Sequence, residues 1–251
     1  MNINMNPNSE LHQSIVNVPN LVQVPDPLLE QAYQFQEAMM MYTCAIREIK
    51  TKLEVLNDEL SVRNSRNPIE MVKSRVKKPL SIVEKLQRRG LPITMESMME
   101  NLDDVAGIRV ICSFLDDIYA VADMLTRQDD VHIIAIKDYI RHPKDNGYRS
   151  YHMIVEIPVF FSDRKKWMRV EVQIRTIAMD FWASLDHQLK YKKEVGDSSE
   201  EISAELKECA EVIAETDERM LKIRMKIEAE GITVSKEQLV KSENLIFQAH
   251  K

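Results

Sequence analysis

The chain has 251 residues, enough for one well-filled core with helical extensions and too few for two comfortable domains. Its 34 basic and 40 acidic residues leave a net charge of −6, which argues against a general nucleic-acid coat protein. No apolar run approaches the roughly 18 residues of a membrane span. The N-terminus lacks the charged and apolar regions of a secretory signal. Cys44, Cys112 and Cys209, without CxxC spacing, read as reduced core thiols, so a cytoplasmic protein is expected.

Residues 1–25 are Asn-rich and punctuated by proline, and are expected to be disordered or loosely docked. At Asp26-Pro27 an N-cap and an N1 proline open a long helix, in which Phe35, Ala38, Met39, Tyr42, Ile46, Ile49, Leu53, Leu56 and Leu60 recur near the helical period. The Met-rich run inside it reads as core packing. β-branched, partly alternating segments at 69–77, 106–114, 131–139, 150–158 and 167–175 predict five strands. Helices are predicted at 79–90, where Gly90 takes the C′ position, and at 115–128. Two long amphipathic helices follow, at 177–193 and 200–230. The fold class is therefore α/β (α+β): a mixed five-stranded sheet flanked by helices, with long helices at both ends.

Charge is unevenly spread. Seven basic residues and only Glu84 on the acidic side lie between Lys73 and Arg89, whereas ten acidic residues stand against Lys207 between Glu194 and Glu218. A local anionic ligand would explain this, as would a solvated helix face. The five glycines form neither GxxxxGK[ST] nor GxGxxG, so any nucleotide must be held by side-chain cations.

Four stretches could supply that chemistry. In "VKSRVKKPLSIVEKL", Arg75 and Lys77 project to one side of an extended segment, with Ser81 and Lys85 a turn apart on the next helix. In "NLDDVAGIRVIC", Asp103-Asp104 precedes an apolar strand, where one rigid aspartate can seat magnesium or simply cap a turn. Arg109 sits inside that strand and needs an anionic or aromatic partner, or a solvated face. In "RVEVQIRT", Glu171, Gln173 and Arg175 form a polar face opposite Val170, Val172 and Ile174, either exposed or a cleft floor with Glu171 as base. In "KDYIRHPKDNGYRSYH", Asn146-Gly147 reads as a tight turn between strands, Tyr148 as a stacking platform, and Lys137, Lys144 and His152 as phosphate neutralisers. His142 and His152 lack the further ligands of a zinc site.

In order and spacing these stretches resemble the synthetase domain of the RelA/SpoT family, and the chain from about Asp26 to Glu228 resembles its small alarmone synthetases. The resemblance implies a nucleotidyltransferase-like sheet within a synthetase domain at 26–228, followed by a tail at 229–251. It also implies transfer of the β,γ-pyrophosphate of ATP to the 3′-hydroxyl of GTP or GDP, with release of AMP. Arg75, Lys77, Ser81, Lys85 and Arg109 would bind ATP, with Arg75 and Arg109 sandwiching the adenine. Asp104 and Glu171 would hold Mg2+, Glu171 serving also as the base. Lys137, Lys144, Asn146, Tyr148, His152 and Gln173 would line the GTP or GDP side. The resemblance further implies a homotetramer built through the final helices, and leaves open a guanosine alarmone effector or an RNA as further partners. No His-Asp pair of the family's hydrolase domain occurs, so synthesis without degradation is expected. Two rivals remain: a toxin-type relative that pyrophosphorylates the tRNA 3′ end, which the acidic stretch 194–218 argues against and "SDRKKWMR" at 162–169 keeps open, and a non-catalytic nucleotide- or RNA-binding tetramer, which the presence of Asp104 and Glu171 argues against.

Overall fold

The computed structural model describes residues 26–63, 66–190 and 199–229. The expectations for 1–25 and for nearly all of the tail at 229–251 lie outside the described residues. The chain divides into two compact units, residues 1–38 and 39–251. The described part of the first unit is the opening of helix α1 (Asp26–Arg63). No described helix is long and apolar enough to cross a membrane.

In the second unit the strands are β1 (Ile69–Val76), β2 (Ala106–Cys112), β3 (His132–Asp138), β4 (Tyr151–Phe160) and β5 (Lys165–Thr176). All five predicted strands are present. They form one mixed sheet in the order β1-β2-β5-β4-β3, with β2 and β5 parallel and the other pairs antiparallel. Helix α2 (Pro79–Arg88) starts on the proline that fixes a helical φ without needing a donor, and it stops where Gly90 takes φ 67°. Leu91 N–H then returns to Leu86 O at 3.0 Å, closing the helix end.

Helix α3 (Met95–Asn101) was not foreseen from the sequence. Seven residues are too few to show a period, and its signal is the N-cap Thr94, whose hydroxyl oxygen accepts from Ser97 N–H at 3.2 Å. Helices α4 (Leu115–Thr126), α5 (Ile177–Lys190) and α6 (Ser199–Ala229) complete the unit.

Alternation sorts the sheet into two faces. Ile108, Val110 and Cys112 of β2, Val170, Val172 and Ile174 of β5, and Met153, Val155 and Ile157 of β4 are buried. Helix α4 packs against β2 and β5 and buries Ile118, Val121, Ala122 and Leu125. Burial at about 25 cal/mol per Å2 of apolar surface makes this layer the main source of stability. In α1, Met41, Tyr42, Ala45, Ile46, Ile49 and Leu53 are buried while Met40 is exposed, so the Met-rich run is core on one side only. The thiols also divide: Cys112 is buried, Cys44 half-buried and Cys209 exposed, so only Cys112 is fully a core thiol.

Candidate nucleotide site

The opposite face of the sheet carries one polar side chain per strand at one register level. Lys73 of β1 pairs with Arg109 of β2, Arg109 with Gln173 of β5, Gln173 with His152 of β4, and His152 with Lys137 of β3. Glu171 lies two residues from Gln173 along β5, opposite Gly107, and Arg75 faces Gly107 from the other side. Residues separated by two positions share a face, so the pleat itself places Arg75, Arg109, Glu171, Gln173, Arg175 and His152 together.

Arg75, Arg109, Tyr148, Gln173 and Arg175 line a cleft of about 720 Å3 whose far wall is α5. Helix α5 begins immediately after β5, where Thr176 Oγ1 accepts from Met179 N–H at 3.1 Å as a cap. One turn on, the buried Asp180 turns back to the sheet and meets three cations: Lys73 at 3.2 Å, Arg109 at 3.1 Å and Arg175 at 3.3 Å. Asp180 thus supplies the anionic partner that Arg109 needs inside an apolar strand.

Beside the cleft, Asp104 lies between two lysines. Lys77 Nζ reaches one carboxylate oxygen at 2.9 Å and Lys85 Nζ the other at 2.8 Å. Burial pushes the Asp104 pKa up, but hydrogen bonds from Lys85 and Lys77 outweigh it and hold the group below its ordinary value. Asp103 points elsewhere, to Arg169 at 3.1 Å, so the two adjacent aspartates have separate tasks. Ser81 is half-buried on α2, one turn before Lys85.

On the other side of the cleft, the connection 139–150 is longer than a two-residue hairpin. Tyr139 N–H bonds Ser150 O at 3.0 Å, and Gly147 N–H bonds Lys144 O at 2.8 Å, so the Asn146-Gly147 turn closes the tip of a twelve-residue loop. Asn146 Oδ1 accepts from Tyr148 N–H at 3.2 Å, fixing the loop where the tyrosine emerges. Lys144 lies over the rings of Tyr139 and Tyr148, at 4.7 and 4.8 Å. Lys137 is exposed on β3, opposite His152.

Tyr148, His152, Glu171, Gln173 and Arg175 form a closed ring of contacts. Tyr148 Oη meets His152 Nε2 at 2.8 Å, His152 Nδ1 faces Glu171 Oε1 at 3.4 Å, and Gln173 Nε2 donates to Glu171 Oε2 at 2.9 Å. Arg175 donates to Gln173 Oε1 at 2.8 Å and to Tyr148 Oη. Burial raises the Glu171 pKa, the His152 and Gln173 hydrogen bonds outweigh that rise, and the charge on Asp104 opposes them, leaving the carboxyl below its usual range. Burial lowers the His152 pKa, assisted by Arg175 and Lys144 and opposed by Glu171, so the imidazole is neutral at pH 7.

Sequence reasoning finds most of this set; it places Arg175 on the polar face of its strand without giving it a role, and it misses Asp180. Arg175 shares the alternation of Glu171 and Gln173 but is 3% exposed rather than lining an open face. The acidic residue one turn beyond a Thr cap is the only local sign of Asp180.

A mixed sheet with a cation-walled cleft on its polar face and two carboxylates alongside defines a nucleotide-handling transferase fold. Residues 74–196 match the region found in RelA / SpoT proteins. The chain is 43% identical over 203 residues to the GTP pyrophosphokinase YwaC of Bacillus subtilis, a match that covers 81% of this chain and 96% of that one. Two crystal structures of small alarmone synthetase 1 from Bacillus subtilis are similar. The one bound to its product pppGpp has a TM-score of 0.72 at 36% identity, and the one bound to AMPCPP has 0.67 at 34%. Each match covers 78% of this chain and 99% of the other. The chain belongs to the RelA/SpoT family, among its small alarmone synthetases, as its four motifs imply.

Proposed function

We propose that this chain is a cytoplasmic GTP pyrophosphokinase that moves the β,γ-pyrophosphate of ATP to the 3′-hydroxyl of GTP or GDP, yielding pppGpp or ppGpp and AMP. The observation that carries the reading is that Arg75 and Arg109, on β1 and β2, share one cleft with Tyr148 and Gln173. A site for two nucleotides needs two recognition walls around one reaction space, and the arginines and the Tyr148–Gln173 pair suit such walls.

On the donor side, Arg75 and Arg109 have the flat, cationic groups that suit an adenine sandwich, and Lys77 and Lys85 suit the triphosphate. On the acceptor side, Tyr148 suits guanine stacking, while Lys137, Lys144 and His152 have the chemistry to hold an acceptor's phosphates and ribose. Glu171, kept ionised by its two donors, accepts the proton of the 3′-hydroxyl as that oxygen attacks the β-phosphorus. The bond from the β-phosphorus to the oxygen it shares with the α-phosphate breaks, and AMP leaves with that oxygen. Such transfers depend on in-line positioning and charge neutralisation more than on covalent catalysis.

The residues fit magnesium. Asp104 lies just before β2, and Glu171 stands on the neighbouring strand β5 opposite Gly107, so the sheet brings two carboxylates to adjoining strands. Two carboxylates with phosphate oxygens and water suit that ion. Asp104 and Glu171 would hold it, and it would neutralise charge on the phosphates.

In the basic run 162–169, Arg164 pairs with Asp163 at 2.9 Å and Arg169 with Glu156 at 3.3 Å, which reduces the positive charge it offers a tRNA backbone. Exposed Val212, Met220, Ile223, Met225 and Ile227 along α6 support assembly into a homotetramer, which light scattering would test. The decisive experiment incubates the protein with magnesium, γ-labelled ATP and GTP or GDP, with unacylated tRNA as a parallel acceptor. Label on a guanosine penta- or tetraphosphate with equimolar AMP is expected. Label on tRNA, or ADP formed in place of AMP, would overturn the reading.

A further inference from the structure

Arg175 stands outside both sets of nucleotide-binding residues, yet the ring of five side chains leads back to it. A guanidinium has donors and no acceptor, so it dictates the direction of every hydrogen bond beyond it. Its four nitrogen contacts are all accounted for: Nε to Ser150 Oγ at 3.3 Å, one terminal nitrogen to Asp180 at 3.3 Å, and the other to Tyr148 Oη and to Gln173 Oε1 at 2.8 Å. Buried to 3% exposure and held on these sides, it is a fixed point.

Two chains start there. Tyr148 Oη accepts from Arg175, which leaves the tyrosine proton for His152 Nε2. With Nε2 accepting, the imidazole carries its proton on Nδ1, which faces Glu171 Oε1. Gln173 presents its carbonyl oxygen to Arg175, so its amide nitrogen faces Glu171 Oε2. The same donor therefore settles the histidine tautomer and the amide orientation, both of which otherwise have two solutions.

We propose that Arg175 is a positioning residue for the transfer: acting through Tyr148 and His152 on one side and Gln173 on the other, it aims both carboxylate oxygens of Glu171 and fixes the ring on which the acceptor base stacks. The inference rests on the reading of Glu171 as the base and Tyr148 as the stacking residue. It adds a group that acts through other side chains of the cleft. A lysine at this position keeps the charge but cannot reproduce the planar fork that serves two acceptors at once.

The test is a double-mutant cycle on kcat with saturating ATP and GDP, using Arg175→Lys, Tyr148→Phe and the pair. Arg175→Lys is expected to lower kcat by about 10- to 100-fold, the scale of a misplaced reacting group. If Arg175 acts through Tyr148, the pair costs less than the product of the single losses, because groups in one network are not additive. Independent, multiplicative losses would overturn the proposal. Since a buried arginine variant can fail to fold, a second measurement uses the unaltered, metal-free protein. 15N chemical shifts of the histidine rings, with His152 assigned by its absence in His152→Gln, are expected to report the Nδ1–H tautomer. An Nε2–H tautomer would reverse the chain and refute it. Wild-type protein that makes no guanosine alarmone would overturn the functional reading instead, whatever the tautomer.

Discussion

Gly147→Ala tests how the acceptor loop is supported. Gly147 has φ 84°, and a Cβ built there would lie 2.6 Å from Ala210 Cβ and 3.4 Å from Lys207 on α6. The left-handed backbone costs an L-residue about 1–2 kcal/mol. Relieving a methyl–methyl approach that short means moving α6 or the loop, an overpacking cost of about 1–3 kcal/mol. The sum, about 2–5 kcal/mol, corresponds to a melting point lowered by roughly 4–20 °C in a protein of this size. Thermal and urea unfolding of the variant would read it. Ala210→Gly should relieve the contact without relieving the backbone strain, so the double variant is expected to be more stable than the two single effects predict, by about 1–3 kcal/mol of coupling. Because the loop carries Tyr148 and Lys144, the KM for GDP should rise in Gly147→Ala while the KM for ATP stays close to the wild-type value. Unchanged stability, or strictly additive effects, would refute the claim that α6 buttresses this loop.

Tyr148→Ala removes the proposed stacking ring and should weaken GDP binding by about 1–3 kcal/mol, read by calorimetry with GDP alone. Glu171→Gln should leave both nucleotides bound while kcat falls by about 100- to 10,000-fold, and equal loss of binding would make Glu171 structural. Lys85→Met removes one of the two partners of Asp104 and the proposed triphosphate contact, and should raise the KM for ATP far more than that for GDP. Asp217 of α6 accepts from the Thr176 hydroxyl, and burial raises its pKa, an effect the Thr176 bond partly offsets. A raised folded-state pKa means that its stabilising contribution is present below the unfolded value and lost as pH rises through the folded one. Asp217→Asn should therefore raise the melting temperature above that pH and narrow the gap between acidic and neutral conditions.

The strands were legible because each is β-branched and punctuated, and the sequence boundaries differ from the observed ones by a few residues. Their order was not: β5 inserts between β2 and β4 through pairings such as Gly107 with Glu171, which no local pattern encodes. The same limit governs the site. Glu171 and Gln173 announce themselves by alternation on one strand, and the cationic motif by its density. Arg175 obeys the same alternation, but its burial depends on Tyr148, which comes from another loop, and on the helix just after its own strand turning back over the sheet. Asp180 reads as an ordinary helix-start acid until Lys73, more than a hundred residues earlier, is folded against it.

The polar row across the five strands acts as a measuring comb. Adjacent teeth are spaced by the sheet's own repeat of about 4.8 Å, so Arg109 and His152, two teeth apart, are separated by roughly 10 Å of backbone that no side-chain substitution alters. On the proposed assignment, changing a tooth would alter the grip on one nucleotide without disturbing the gauge between the two. A one-residue slip of any strand would turn its tooth to the apolar side and unmake the comb at that point.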